Sequence, residues 1–480
     1  MIITLSGHNL TPDGLAAIAA GTAQVALDES ALRRMAKARE VIDHAVAERR
    51  PVYGVTTGLG PRVVDALPED ELEAFALTTV RGRAHSSGAD LSEAQCRAAL
   101  AVRLNTLLIG AAGVRPALAI FIADCLNAGL APVIRSVGSI GAADLMWGGD
   151  MGLGLIGEGR MWANGVVCNA SEALTKAGFL GWQPGPREGL ALVSHSCTSA
   201  ALAMYACHQL TVVLEAHKRA VALSLEGFRA NLSALDPELL ALRPQAGQIE
   251  AASDLADLLA GSPLYEEGAA RRLQDPLSIR NIPQVYGAVR AALSAVQQAV
   301  QDEANGASDN PGVLIESGHV ASHGGYLTPH LMITLGALHQ SLAHMAAVTA
   351  ARVGKMLSGR FTELPNGLTH AGAAGAGISP VMKTVEALFA EIAHAATPPP
   401  IYPGFSADGL EDVSVHSGLA AKATFRIVDL LAELVAIEMI VAAQAVDLRG
   451  VEIAPALVPV HDRVRAISPP FVDDRPLGDE

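Results

Sequence analysis

Residues 138–159 read GSIGAADLMWGGDMGLGLIGEG, a stretch dense in glycine that carries two aspartates and one tryptophan in an otherwise apolar run. The pattern predicts a loop that runs into a helix. After Ser139 the stretch contains no evident nucleophile, base or metal ligand. It therefore raises the question of what the loop is for, and whether a reactive group has been lost from it.

The chain around this stretch has 480 residues, of which 50% are hydrophobic, 17% charged and only 4% aromatic. These values predict a large buried core in one or two domains, and the many Ala and Leu residues favour packed helices over stacked sheets. The net charge of −15 argues against nucleic acid and anionic membrane surfaces as partners. Scattered cysteines and an N-terminus without a basic start and apolar run predict a cytoplasmic protein.

Long runs with apolar residues at helical spacing predict a bundle of long helices. These runs cover residues 188–225, 281–305, 328–358, 376–396 and 415–448. The most apolar segment, 430–448, contains Glu433 and Glu438, so we expect a buried helix of a soluble core rather than a membrane span. Residues 159–165 predict the start of a short hairpin.

Polar residues outside ordinary helix surfaces cluster in five places, and each place has two interpretations. Tyr53, in the Gly-rich loop VYGVTTGLG, is either a general base or an aromatic anchor of the loop. His85, in RGRAHSSGAD, is either a substrate contact or a structural histidine. Ser194, His195 and Ser196 interrupt an apolar helix in EGLALVSHSCTSAA, which favours a site in the bundle core.

The other two clusters lie in the second half of the chain. Arg280 in LQDPLSIR and the Asp309-Asn310-Pro311 turn are suited either to a grip on a substrate carboxylate or to a buried Arg–Asp pair. Lys383 and Glu411, on either side of the proline-rich loop 397–409, belong either to the surface or to a site. No P-loop, dinucleotide, zinc-protease or serine-hydrolase motif is evident, so we expect no metal and no nucleotide cofactor.

Taken together, these stretches resemble the aromatic amino acid ammonia-lyases, and the histidine ammonia-lyases in particular. The resemblance covers about residues 50–450 and rests on motifs in the family's order. They are VYGVTTGLG, AHSSG, GSIGA with LIGEG, EGLAL, QDPLSIR, PQV and EANGASDNP. Thr56 stands where the family usually has Asn.

The resemblance implies a mainly α fold of the fumarase/aspartase-like type, a long-helix bundle with a smaller N-terminal α domain containing loops and a short hairpin. We expect the N-terminal domain over residues 1–187 and the bundle with the C-terminal helices over 188–480. The family forms homotetramers with active sites built from several subunits. Its reaction removes an amine and the neighbouring β-proton, with a methylidene-imidazolone (MIO) electrophile made from an Ala-Ser-Gly triad.

At the place of that triad this chain has Ala142-Ala143-Asp144, and the segment is one residue shorter. Without the serine no dehydroalanine forms, so the resemblance implies that the MIO group is absent. The family's Asn beside the electrophile falls at Ser194, the next Gly at His195, and the phenol of its QDPYSLR motif at Leu277.

Loss of the electrophile restricts the leaving group. An α-ammonium has an N–H far more acidic than the β C–H, whereas a quaternary ammonium has no N–H and leaves as a neutral amine. The sequence thus resembles MIO-independent members of the family that split the betaine ergothioneine into thiourocanate and trimethylamine. Hercynine or another betaine is the alternative substrate, and a degenerate lyase retained as a binding protein is the non-enzymatic alternative.

The resemblance also suggests roles for the site residues. Tyr53 would be the base for the β-proton, Arg280 and Asn310 would hold the carboxylate, and His85 with Glu411 would hold the imidazole-2-thione. Lys383 would stabilise developing charge or activate Tyr53. Trp147 would either fill the volume of the lost electrophile or face the trimethylammonium. Ser194, His195, Ser196 and Tyr326 are further candidates for the substrate pocket.

Overall fold

The protein is mostly helical in its computed structural model, which describes residues 1–370, 375–401 and 403–480. The helices of the first part of the chain are α1 Pro12–Ala19, α2 Glu29–Ala47, α3 Leu72–Arg81, α4 Glu93–Leu107, α5 Pro116–Asn127, α6 Leu145–Leu155, α7 Ala170–Lys176 and α8 Glu188–Val193. Those of the second part are α9 Cys197–Phe228, α10 Pro237–Ala241, α11 Gln248–Leu258, α12 Leu277–Arg280, α13 Ile282–Ala304, α14 Pro329–Met356, α15 Gly359–Thr362, α16 Met382–Ala395, α17 Ser417–Arg449 and α18 Val458–Ile467. This architecture confirms the predicted mainly α class.

The strands are short and form small separate sheets. They are β1 Ile2–Leu5, β2 Gln24–Leu27, β3 Ser87–Asp90, β4 Leu130–Pro132, β5 Arg135–Val137, β6 Arg160–Ala163, β7 Val166–Asn169, β8 Gly312–Leu314, β9 His319–Ala321, β10 Pro403–Ser406 and β11 Glu411–Val413. The predicted hairpin is confirmed, since β6 and β7 pair antiparallel. Asn164 and Gly165 connect these two strands, both with positive φ, as a tight hairpin turn requires.

The described chain divides into two compact units. The first comprises Met1–His208, Val296–Leu335 and Pro399–Lys422, and the second comprises Gln209–Ala295, Gly336–Pro398 and Ala423–Glu480. The division assigns parts of four long helices, α9, α13, α14 and α17, to each unit. The predicted domain boundary between residues 187 and 188 stays a prediction.

The long apolar runs form helices as predicted, with two corrections. In the run 376–396, the α-helix begins only at Met382, after a 3₁₀ turn over Ser379–Val381. Residues 188–225 do not form one helix, because α8 ends at Val193 and α9 begins at Cys197. Between them, the backbone amide of His195 donates to the carbonyl of Ala143 (2.9 Å) and that of Ser196 to the hydroxyl of Ser308 (3.1 Å). These amides are therefore not available to a continuous helix.

Two apolar stretches, Glu188–Phe228 and Pro329–Met356, are long enough to cross a membrane by length and composition alone. In the first, 94% of the most apolar window is buried inside the protein, which is typical of a core helix. In α17, the expected buried helix around residues 430–448 contains Glu438, whose carboxylate pairs with Arg352 inside the second unit.

The glycines of α6 let neighbouring backbone approach this helix very closely. A Cβ at Gly149 would lie 2.2 Å from the carbonyl oxygen of Arg83, and one at Gly148 would lie 2.3 Å from that of Val193. Real Cβ atoms do not approach a backbone oxygen so closely, so only glycine is accommodated. The glycine-rich stretch thus brings the segments that follow α3 and α8 against one helix.

Replacement of Gly149 by Ala should destabilise the protein by about 1–3 kcal/mol, because the new methyl group must displace the backbone at Arg83. Chemical denaturation measures the free energy of unfolding. The matched control is Gly336→Ala in α14, where a Cβ has no heavy atom within 4 Å and the gain in helix propensity should stabilise by about 0.5–1 kcal/mol. Equal effects of the two substitutions would contradict the packing role of Gly149.

Candidate active site

The loop before α6 closes around the carboxylate of Asp144, which is 0% exposed. Its Oδ1 accepts hydrogen bonds from the hydroxyls of Ser139 (2.5 Å) and Ser199 (2.7 Å), and its Oδ2 accepts one from the backbone amide of Ser199 (2.7 Å). Ser199 lies in the first turn of α9, so the carboxylate sits at a helix N-terminus. Burial raises the pKa of Asp144, and these hydrogen bonds act in the opposite direction.

Ala143, at the position of the family's reactive serine, is held by ordinary backbone hydrogen bonds. Its amide donates to the carbonyl of Tyr326 (3.1 Å), and its carbonyl accepts from the amide of His195 (2.9 Å). Ala143 and Asp144 both have positive φ, 58° and 42°. The side chain has no hydroxyl to eliminate, so the residues at this place do not fit the MIO group that the family resemblance implies.

Trp147 is packed between two glycines and is 1% exposed. A Cβ at Gly138 would lie 2.7 Å from the indole Cδ1, and one at Gly418 would lie 2.5 Å from Cη2 and Cζ3. Both edges of the ring are thus in close contact with backbone. This packing supports the volume-filling interpretation of Trp147 over a face presented to a cation.

Tyr53 belongs to a charged cluster that includes a residue missed from the sequence, Arg83. The phenol oxygen of Tyr53 accepts a hydrogen bond from the amide of Gly60 (3.1 Å). Burial lowers the pKa of Arg83, whereas the charges of Tyr53 and Glu411 act to raise it. Burial raises the pKa of Glu411, and the charge of Arg83 opposes this shift. Tyr53, Arg83 and Glu411 are therefore close enough to interact electrostatically.

His85 lies two residues beyond Arg83 and presents an exposed side chain. Its backbone amide donates to the carbonyl of Arg83 (2.9 Å), and the next residue, Ser86, donates through its hydroxyl to the carbonyl of Met146 at the start of α6 (2.9 Å). A Cβ at Gly138 would lie 2.6 Å from that hydroxyl. The segment that carries His85 is therefore anchored on the loop before α6 and on the start of that helix.

Asn310 is positioned by a buried ionic cluster of the first unit. The carboxylate of the preceding Asp309 accepts two hydrogen bonds from Arg103, at 2.7 and 3.0 Å, and Arg187 lies 3.9 Å from it. All three charged side chains are buried, and the two guanidinium groups hold the pKa of Asp309 below its ordinary value against the effect of burial. The side-chain oxygen of Asn310 accepts from the amide of His323 (2.9 Å).

Ser194, His195 and Ser196 are buried in the connection between α8 and α9, not in a helix as predicted. Burial, helped by the charge of Arg103, lowers the pKa of His195 to about 3, so its imidazole is neutral at physiological pH. Among the described residues, its Nε2 has no hydrogen-bond partner. Tyr326 contributes its carbonyl oxygen, which accepts from Ala143 and from the hydroxyl of Ser196 (3.4 Å).

Arg280 and Lys383 belong to the second unit. The side-chain amide of Gln274 is satisfied when its oxygen points towards Arg280. In that orientation the oxygen accepts hydrogen bonds from Nη1 (2.6 Å) and Nη2 (3.0 Å) of Arg280. Among the described residues, Arg280 forms no ion pair; the buried Arg–Asp pair that the sequence allowed is formed by Asp309 with Arg103 instead. Arg280 lines a cavity of about 540 Å³, and Lys383 is exposed on α16.

A second buried ionic cluster fixes the short helix that carries Arg280. Arg352 pairs with Glu438 at 2.5 and 3.0 Å and donates to the carbonyl of Ser278 in α12 (3.1 Å). Arg352 and neighbouring His217 hold the pKa of Glu438 at about 2 despite its burial. The charged pair therefore stays ionised and keeps α12 in place within the second unit.

Comparison with known proteins decides the family. The family model described as aromatic amino acid lyase matches residues 10–466. The chain belongs to the aromatic amino acid lyase family. It is 32% identical to the histidine ammonia-lyase of Symbiobacterium thermophilum, over 98% of this chain and 94% of the relative.

Solved structures of this family show the same fold. Ergothionase from Treponema denticola, solved in complex with desmethyl-ergothioneine sulfonic acid, matches with a TM-score of 0.94 at 28% identity, over 99% of this chain and 96% of that one. Histidine ammonia-lyase from Trypanosoma cruzi matches with a TM-score of 0.92 at 28% identity, over 100% and 91% of the two chains. These similarities support a carbon–nitrogen lyase of the histidine ammonia-lyase type.

Asp309→Asn should destabilise this lyase by about 3–5 kcal/mol, because it removes the charge that compensates two buried guanidinium groups. Since the pKa of Asp309 is lowered by folding, its contribution is present above the ordinary value of 3.8 and is lost only as the pH falls below it. Denaturant unfolding at pH 7 is the measurement.

The matched control for this substitution is Asp90→Asn, which removes a partly exposed pair with Arg160 and should cost at most about 1 kcal/mol. If Asp309→Asn costs no more than this control, the buried cluster does not hold the Asn310 turn as inferred.

Proposed function

We propose that the lyase eliminates trimethylamine from ergothioneine, giving thiourocanate, without an MIO group. The observation that carries this proposal is the triad Ala142-Ala143-Asp144, which contains no serine. The buried carboxylate of Asp144 instead accepts hydrogen bonds from Ser139 and Ser199. The similarity to ergothionase, which was solved in complex with an ergothioneine derivative, supports the choice of substrate.

The leaving group explains how the reaction proceeds without the electrophile. A base takes the β-proton, the electrons of that C–H bond form the Cα=Cβ double bond, and the Cα–N bond breaks. The nitrogen leaves with its electron pair as neutral trimethylamine, so it needs no proton and no covalent activation. A primary ammonium would instead lose an N–H proton to the same base and become a far poorer leaving group.

Tyr53 is the proposed base. The Gly60 amide donates to its oxygen, and Arg83 lies close enough to interact with it electrostatically. Arg83 thus joins the proposed site as a positioning residue that sequence reasoning did not identify. His85 and Glu411 are proposed to hold the imidazole-2-thione, since the segments that carry them both contact the loop formed by residues 138–141.

Arg280 and Asn310 are proposed to bind the carboxylate. Arg280 suits this role because it lines a cavity and, within the described part of the chain, pairs with no carboxylate. Lys383 is proposed to stabilise charge that develops as the β-proton leaves. Ser194, His195, Tyr326 and Trp147 are proposed to shape the pocket. We further propose a cytoplasmic homotetramer with active sites shared between subunits, without nucleic-acid or membrane partners.

Incubation with ergothioneine should release trimethylamine and a long-wavelength unsaturated thione, both followed with time. Tyr53→Phe should lower kcat at least about 100-fold, because a general base contributes at that scale, while the enzyme still binds the substrate. The control is Tyr205→Phe, a tyrosine of α9 that is not assigned to the site. Elimination by Tyr53→Phe at the rate of the unmodified enzyme would refute the base assignment.

A panel of substrates separates the alternatives. Activity on hercynine equal to that on ergothioneine would show that the ring sulfur is not needed. Rapid deamination of unmethylated histidine would overturn the proposal, since the proposed reaction requires a nitrogen that leaves without an electrophile. Binding of ergothioneine without turnover would favour the degenerate lyase retained as a binding protein.

Mass spectrometry of the intact protein tests the missing prosthetic group. The mass should equal that of the unmodified polypeptide, because Ala143 cannot lose water to form a dehydroalanine. A mass lower by two water molecules would show that a ring forms despite the altered triad. A histidine ammonia-lyase measured in parallel provides the positive control for the mass loss.

A further inference from the structure

The cavity of the second unit beside Arg280 carries one charge of each sign. Of the described side chains that line it, Arg280 is the cationic one and Asp275 the anionic one. The two do not pair with each other, and neither takes part in an ion pair elsewhere in the described chain. A pocket of about 540 Å³ with two separate, opposite charges suits a zwitterionic ligand.

Asp275 is buried yet incompletely bonded. It is 4% exposed, and its Oδ2 accepts a hydrogen bond from the amide of Asn231 (2.7 Å). Within the described residues its Oδ1 has no hydrogen-bond partner. The charges of Arg271 and Arg272 act on this carboxylate, but a buried carboxylate oxygen without a hydrogen-bond partner is costly, so Oδ1 remains an available acceptor beside the cavity.

Two leucine side chains in the lining of the same cavity are largely exposed to solvent. Leu277 is 64% exposed and Leu273 96% exposed, and both line the cavity. Leu277 begins α12 and Arg280 ends it, so the two side chains are three residues apart on one helical face. Leu277 therefore presents methyl groups beside the guanidinium, whose Nη atoms donate to the amide oxygen of Gln274.

We infer that Leu277, with the carboxylate of Asp275, forms the trimethylammonium half of the substrate site, and that Arg280 takes the neighbouring carboxylate. This inference rests on the proposed function and assigns its substrate class within the Arg280 cavity. A quaternary ammonium carries diffuse charge on methyl groups, so it gains from an apolar contact and a nearby anion without needing acceptors for N–H groups. A primary ammonium in the same place loses hydration against Leu277.

The cavity also contains acceptor oxygens without partners, which would suit a primary ammonium as a competing ligand. Besides Asp275, the side-chain oxygens of Asn281 and Gln284 have no partner among the described residues, and such oxygens also suit a primary ammonium. Leu277 is the group that separates the two ligands, because it favours methyl groups over N–H groups. The decisive comparison is therefore between a methylated and an unmethylated amino acid.

Glycine betaine is the smallest probe of this site, since it has a carboxylate and a trimethylammonium and no side chain. Binding to the full-length protein is followed through the methyl signal in ligand-observed NMR, with glycine as competitor. We expect glycine to bind at least about tenfold more weakly than the betaine. Leu277→Ser should weaken betaine binding about tenfold, and Asp275→Asn by a similar factor, whereas Leu277→Met should retain it.

The matched control is Leu180→Ser, which alters a leucine of the first unit that is 86% exposed. The inference is overturned if Leu277→Ser binds glycine betaine as tightly as this control, or if glycine competes as well as the betaine. The proposed function is judged separately, by trimethylamine release from ergothioneine. If betaine binding depends on Leu277 but ergothioneine releases no trimethylamine, the binding site is supported and the proposed reaction is refuted.

Discussion

The close approach of backbone to α6 is the constraint on which the candidate site depends. Because Gly148 and Gly149 have no side chains, the carbonyls of Val193 and Arg83 lie where a Cβ would otherwise be. The segments bearing His85 and His195 are thereby fixed against one short helix, and the loop before that helix is fixed by the carboxylate of Asp144. Glycine content that would be unfavourable in an isolated helix here serves tertiary packing.

Buried charges act in a second way, as anchors for irregular backbone. In the first unit, Arg103 and Arg187 surround Asp309 and so hold the turn that presents Asn310. In the second unit, Arg352 uses its pair with Glu438 and a bond to the Ser278 carbonyl to hold α12. Such pairs contribute little net stability relative to apolar packing, but each fixes the orientation of a turn that carries a polar candidate residue.

Much of the fold could be predicted from the sequence, because helical periodicity and the Asn164-Gly165 turn are local signals. The break between α8 and α9 could not, since the carbonyl that binds the His195 amide belongs to Ala143, far away in the chain. Arg83 was missed for a similar reason, because its significance comes from the nearby charges of Tyr53 and Glu411 rather than from its neighbours in sequence. The family motifs identified most candidate residues, but motifs do not report which of them are exposed, neutral or without a partner.

The indole of Trp147 has an evolutionary consequence. Its ring lies in close contact with Gly138 and Gly418, beside the backbone where the family forms its reactive ring. A serine introduced at position 143 would be followed by Asp144 rather than a glycine, in a loop whose Gly138 contacts the buried indole. A serine at position 143 alone would therefore not restore an Ala-Ser-Gly triad in this loop.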